Sequence, residues 1–183
     1  MADVSIKGLR TFTTQEALNT HIGKVIRVIP VIPVAEVEDE DIIFNSTEIP
    51  NAVSHPGGTS RLVSITINNI DGGHEDMELI FHQTAKDLGT PVSAPDITDA
   101  NFRAMNVLGH VKIVLADWIN THSSSDSTQS IYTNASSAND PMHFFLLQAD
   151  EGSTSVYFSA MATDTHDYAS TSDLEFVFHI EYR

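Results

Sequence analysis

The sequence predicts a mostly β protein: an antiparallel β-sandwich or small, jelly-roll-like barrel carrying one or two short helices. Three observations lead there. Leu174, Phe176, Phe178, Ile180 and Tyr182 alternate with Glu175, Val177, His179 and Glu181, the period-2 pattern of a strand with one buried face. Thr59 to Ile70 repeats it, with Leu62, Ile65 and Ile67 among Arg61, Ser64, Thr66 and Asn68 and one slip at Val63. Ser and Thr make up about a fifth of the chain, a composition suited to strands and polar loops. At 183 residues, one domain is expected, large enough to bury roughly 70% of its unfolded surface without a disulfide or metal.

Taken in order, Thr13-Thr14-Gln15-Glu16 has the form of a capping box, and Ala17, Leu18 and Ile22 then share a helical face that stops at Gly23. Lys24 to Val34 is rich in Val and Ile. Pro30 and Pro33 cannot donate to a ladder, so this piece is predicted as an edge strand or extended arm; residues 1–41 together form an N-terminal arm. Glu36 to Asp41 places five acids in six positions and is expected to be a solvated loop. An apolar piece starts at Ile42 to Phe44. Pro50 to Gly58, with two prolines and a Gly-Gly pair, is a turn.

Asp71-Gly72-Gly73 follows the Thr59 strand as a turn, which predicts Met77 to His82 as the second arm of a hairpin. Thr98 or Asp99 caps a helix that runs to about Asn106 and ends at Gly109. His110 to Trp118 is the next strand, with Val111, Ile113 and Leu115 on one face. Asn120 to Asp140, Ser-rich and poor in apolar residues, is expected to be a long polar loop, available to a partner and removable without loss of the fold. Met142 to Gln148, Thr154 to Ala162 and Leu174 to Tyr182 are the last strands. Strands outnumbering helices in this way give a sandwich or barrel.

Charge narrows the function. Nine basic residues stand against 25 acidic ones, a formal charge of −16. Phosphate neutralisation needs clustered Lys and Arg, so nucleic acid is not an expected partner, and neither is an anionic membrane. The longest apolar run, Val25 to Ala35, is broken by Arg27 and two prolines, well short of a spanning helix. Met1 to Arg10 carries charges without an apolar core, so no signal peptide is expected. The sequons at Asn45 and Asn134 are accordingly read as chance matches. With no cysteine, thiolate chemistry and Cys-held metals are excluded.

Nine histidines raise the question of a metal, yet none forms a His-Glu-x-x-His pair. The closest groupings are His74-Glu75-Asp76 and Asp164-Thr165-His166-Asp167. Consecutive strand residues point to opposite faces, so such runs are expected to be polar turns and not ligand sets. Glu36 to Asp41 lacks the spacing of an EF-hand loop. Gly57-Gly58-Thr59-Ser60 fits no nucleophile elbow, and the glycine pairs fit no phosphate loop. Trp118, in an apolar strand, is expected in the core and not on a sugar platform. No catalytic, cofactor-binding or metal residues are therefore predicted, and the chain is not expected to be an enzyme.

Ile43 to Val53, Pro56 to Ile65, Leu79-Ile80-Phe81, Asp87-Leu88-Gly89-Thr90 and Asp96 to Asn101 together resemble virion-associated proteins of tailed bacteriophages, including cyanophages. The resemblance covers about Ile43 to Asn120 and leaves the N-terminal arm and the Ser-rich loop unplaced. It implies a structural virion protein, above all a capsid decoration (cement) protein that binds the major capsid protein on the outer capsid surface and stabilises the head. It further implies a homotrimer at three-fold positions, assembled in the bacterial cytoplasm. The resembling motifs mark a fold and transfer no site residue.

Three alternatives are distinguishable. A head–tail or tail component shares the virion but not the position. A β-sandwich module for ligands such as sugars requires exposed aromatics, Trp118 among them. A metal-dependent enzyme requires His74, His166 or other histidines to converge in a pocket.

Overall fold

The structure, a computed structural model, describes residues 23–74, 76–114, 118–120, 128–133 and 145–182, with the side chains of 120 and 128–133 excepted. The predicted helix before Gly23 lies outside these residues. Gly23 itself opens β1 (Gly23–Val28), which pairs antiparallel with β12 (Leu174–Tyr182) as an edge strand. The proline-bearing segment that follows continues as an extended arm, held by Ile32 N donating to Thr171 O at 3.2 Å. Of the two alternatives expected for this stretch, the edge strand describes Gly23–Val28 and the extended arm the residues after it.

Twelve strands and one helix occur among the described residues, and they form an antiparallel β-sandwich. In the first sheet, β12 lies between β1 and β4 (Thr59–Asn69). The far edge of β4 is shared: β9 (Phe145–Gln148) pairs with residues 59–62, and β8 (Thr128–Thr133) pairs with residues 64–69. Beyond β8 lies β7 (Trp118–Asn120). The second sheet runs β3 (Ile42–Ile49), β10 (Val156–Ala162), β5 (Met77–His82), β6 (Val107–Ile113). A ribbon of β2 (Glu36–Val37) and β11 (His166–Asp167) stands apart.

The alternation in β12 places Leu174, Phe176, Phe178 and Ile180 inward, all buried. The slip at Val63 has a geometric cause. The register between β4 and β12 shifts between His179 and Ile180, which pair with Ser64 and Leu62. Val63 is the extra residue of that bulge and points outward, while Leu62 and Ile65 both stay in the core.

Between the sheets, Phe44 of β3, Phe81 of β5 and Phe158 of β10 interleave with Phe176 and Phe178 of β12. Phe158 lies 5.1 Å from Phe44, 5.1 Å from Phe176 and 5.0 Å from Phe178, each edge to face. This is the geometry the ring quadrupole favours. Phe145 of β9 joins the cluster 5.0 Å from Phe81. It can do so because residue 109 of β6 is glycine: a Cβ there would stand 2.7 Å from the Phe145 ring.

Several expectations are corrected. Met77 to His82 does not form a hairpin with Thr59 to Ile70; β5 sits in the opposite sheet, between β10 and β6. The connection from Ile70 to Asp76 is seven residues long and steps across the sandwich, because both edges of β4 are already taken. The helix α1 (Asp99–Met105) is capped by Thr98 as predicted, but it ends at Asn106 in the left-handed region (φ 52) and not at Gly109. The His110 to Trp118 strand ends at Ile113, and Trp118 begins a separate one. Glu36 to Asp41 is not all loop, since Val37 is fully buried in the β2–β11 ribbon. Most consequentially, the Ser-rich Asn120 to Asp140 stretch contains β8, a strand of the larger sheet.

Candidate functional site

The chain from Gln83 to Asn106, with α1, lies over the outer face of the four-stranded sheet and closes a second small core. Ile42, Leu88 and Met105 are buried there, with Ile80, Ile97 and Met161 packed against them. The side chain of Asn45 in β3 clamps this cover through both ends of its amide. Its Nδ2 donates to Gly89 O at 2.7 Å, and its Oδ1 accepts from Leu88 N at 2.9 Å. The side-chain amide of the Asn45 sequon is thus engaged within the fold. The sequon at Asn134 lies outside the described residues.

Under the same cover is a buried imidazole–hydroxyl pair that the sequence did not signal. His82 and Ser159 are both fully buried, 77 positions apart, and only the register of β5 on β10 brings them together. His82 Nδ1 lies 2.9 Å from Thr84 O and Nε2 lies 3.1 Å from Ser159 Oγ. A carbonyl only accepts, so Nδ1 carries the proton and Nε2 accepts from the serine hydroxyl. The ring stacks on Tyr157 at 6.1 Å. The pair thus ties the end of β5, where the cover begins, to β10.

Burial pushes the His82 pKa below the ordinary histidine value, opposed by the bond to Thr84 O and the negative charge of Asp87. A folded-state pKa below the unfolded one means that the unfolded chain takes the proton first. The stability contributed by neutral His82 is complete above about pH 6.5 and declines as pH falls from there toward the folded-state pKa. Thermal melts from pH 8 to pH 5 are expected to show the difference between the wild type and His82→Gln shrinking across that interval. Parallel curves would contradict this account of the site.

Neither His74 nor His166, the histidines of the two sequence groupings expected to be polar turns, lies in a ligand set among the described residues. His74 is exposed and its ring lies 6.3 Å from Trp118, whereas His166 sits against Tyr168 at 4.7 Å with Nε2 3.9 Å from Asp71 Oδ2. Among the described residues, no three His, Asp or Glu side chains converge as a cation site. In the acidic run, Glu38, Asp39 and Glu40 face solvent, and Glu36 stands opposite Asp167 across the ribbon. Trp118 is 7% exposed, buried as predicted, so its ring is not available as a sugar platform.

Among the described residues, the outer surface carries several open grooves. One of about 500 Å³ lies on the outer face of the larger sheet, lined by Lys24, Val25, Val63, His179 and Glu181. Another, about 430 Å³, separates Ile29 and Val31 of the arm from Asn45 to Glu48 of β3. A third, about 350 Å³, brings exposed Phe102 of α1 beside Ile80 and Val107. Two charged bridges, Arg27–Glu175 at 3.1 Å and Arg61–Glu181 at 3.6 Å, tie neighbouring strands across the outer face of the larger sheet.

No family model matches this chain, and no curated protein matches it. Among solved structures, a chain from sacbrood virus of honeybee in its expansion state II aligns with 94% of this chain and 84% of its own length, at 8% identity and a TM-score of 0.26. A chain of the IBDV viral particle aligns with 88% of this chain and 39% of its own length, at 7% identity and a TM-score of 0.17. At such scores neither likeness carries an argument about function.

Proposed function

We propose that this chain is a structural protein of a tailed-bacteriophage virion, and within the virion a decoration protein bound to the major capsid protein on the outside of the head. The observation that carries the reading is the resemblance of Ile43 to Val53 and Pro56 to Ile65 to such virion proteins. In the fold, these segments are β3, the turn at Pro50 to Gly58 and the first half of β4, so they supply one strand to each sheet. Their apolar members Phe44, Ile49, Val53, Leu62 and Ile65 are buried. They build the framework and leave the surface to do the work.

Two physical features support this role. The interior is filled by packed rings, so recognition falls to the outer faces and edges. A charge of −16 keeps a protein made in many copies soluble before assembly. On the head, trimers at three-fold positions would bridge neighbouring capsomers, each contact adding buried area over many copies.

Gold-conjugated antibody against this chain, applied to purified phage particles, tests the reading. Label distributed over the head is expected. Label confined to the tail or neck would favour the head–tail alternative, and particles without label would overturn the virion role.

A further inference from the structure

The edge strand β1 and the arm that continues it sort their side chains by exposure. Arg27, Ile29, Val31, Val34 and Glu36 face solvent, while Ile26, Val28, Pro30 and Ile32 are buried. Ile29, Val31 and Val34 are 56%, 79% and 58% exposed, and no ionisable residue falls between Val28 and Ala35. Chains ordinarily blunt an exposed sheet edge with charge along its length. Here charge stands only at the two ends, a cation at the first and an anion at the last.

A stripe ordered cation, aliphatic, aliphatic, aliphatic, anion is complementary to its own reverse. A two-fold axis near Val31 sets Arg27 of each copy against Glu36 of the other and brings the aliphatic residues together. That is the requirement for an isologous contact, in which the same patch serves both partners. The Arg27 guanidinium already bonds Glu175 of its own strand neighbour, yet it remains 64% exposed, and its fork has further N–H groups to offer. Pro30 and Pro33 lack the N–H of a ladder, so the contact closes on a pair and does not propagate as a growing sheet.

We propose that this stripe is a two-fold contact between copies of this chain. The charge order argues for a second copy over another occupant. Two chains of net charge −16 repel over most of their surfaces, and here they meet through two opposite-charge pairs around an uncharged centre. The stripe is small beside the roughly 800 Å² per partner of a stable interface, so association is weak and concentration-dependent. The contact does not depend on the virion role. It is compatible with trimers, because neighbouring three-fold positions on an icosahedral lattice are related by two-fold axes.

Sedimentation velocity on the full chain, from low to high micromolar concentration, tests the contact. The wild type is expected to double its mass as concentration rises. Val31→Asp, at a position open to solvent, is expected to weaken doubling by roughly tenfold or more while keeping the wild-type melt. Arg27→Glu gives a stripe with two anionic ends and Glu36→Arg one with two cationic ends, so neither alone is expected to double. Mixed in equal amounts, they are expected to pair. Three results would overturn the proposal: a wild type that never doubles, doubling unaffected by Val31→Asp, or a mixture that does not pair. Particles labelled by the antibody alongside a wild type that never doubles would remove the contact and leave the virion role standing.

Discussion

Replacing Phe158 by alanine is expected to lower the melting temperature by roughly 6–20 °C, the largest effect of any single substitution considered. Phe158 is fully buried at the centre of β10, and its ring meets Phe44, Phe81, Phe176 and Phe178 from both sheets. Truncating a buried Phe to Ala costs about 3–5 kcal/mol through lost transfer energy and the cavity left behind. Each kcal/mol shifts the midpoint of a domain this size by about 2–4 °C. Against a total stability of about 5–15 kcal/mol, the loss is severe. Calorimetry reads it directly. A shift under about 2 °C would mean that the rings are not packed as described, because surface changes typically fall within about 0.5 kcal/mol.

The second large effect concerns the Ser-rich stretch. Exchanging residues 120–140 for a Gly-Ser linker of equal length is expected to abolish the cooperative melt. The exchange removes β8, whose residues 128–133 pair with 64–69 of β4 on one side and with Trp118 to Asn120 on the other. Without β8, the upper half of β4 loses its ladder on that edge, β7 loses its partner, and buried Trp118 loses its support. Exposing unpaired backbone groups beside a hydrophobic core is costly. Far-UV circular dichroism on heating distinguishes the outcomes. A retained sharp transition would return the segment to the status of a dispensable, partner-facing loop.

These two cases also mark where the sequence was legible. The fold class, β12, β4 with its slip, the arm at β1 and the burial of Trp118 were readable because each rests on local periodicity or on proline chemistry. The bulge at Val63 even left its trace as a broken alternation. The sheet to which β5 belongs was not readable. A turn such as Asp71-Gly72-Gly73 announces a reversal of the chain, but whether the next strand pairs in the same sheet depends on which edges distant strands occupy. β8 was hidden because Thr128-Gln129-Ser130-Ile131-Tyr132-Thr133 has no apolar alternation; its pairing is imposed by β4.

The site-level expectations divide in the same way. The apolar segment beside the prolines follows from local sequence. The buried His82–Ser159 pair and the Asn45 clamp do not, since each links residues more than forty positions apart. Nothing in the residues around either end announces the other. The self-complementary stripe lies between these cases: its composition is plain in the sequence, but the alternation of exposure that selects Arg27, Ile29, Val31, Val34 and Glu36 emerges only once the arm is packed on one side.

The proposed role, a virion component that coats the head, fixes how many copies a particle carries. Quantitative mass spectrometry of purified particles, with the major capsid protein as the internal standard, tests it most directly. A decoration role predicts copy numbers in a fixed simple ratio to the major capsid protein, amounting to hundreds per particle. Copy numbers near those of a neck or tail ring, or absence from intact particles, would contradict the account.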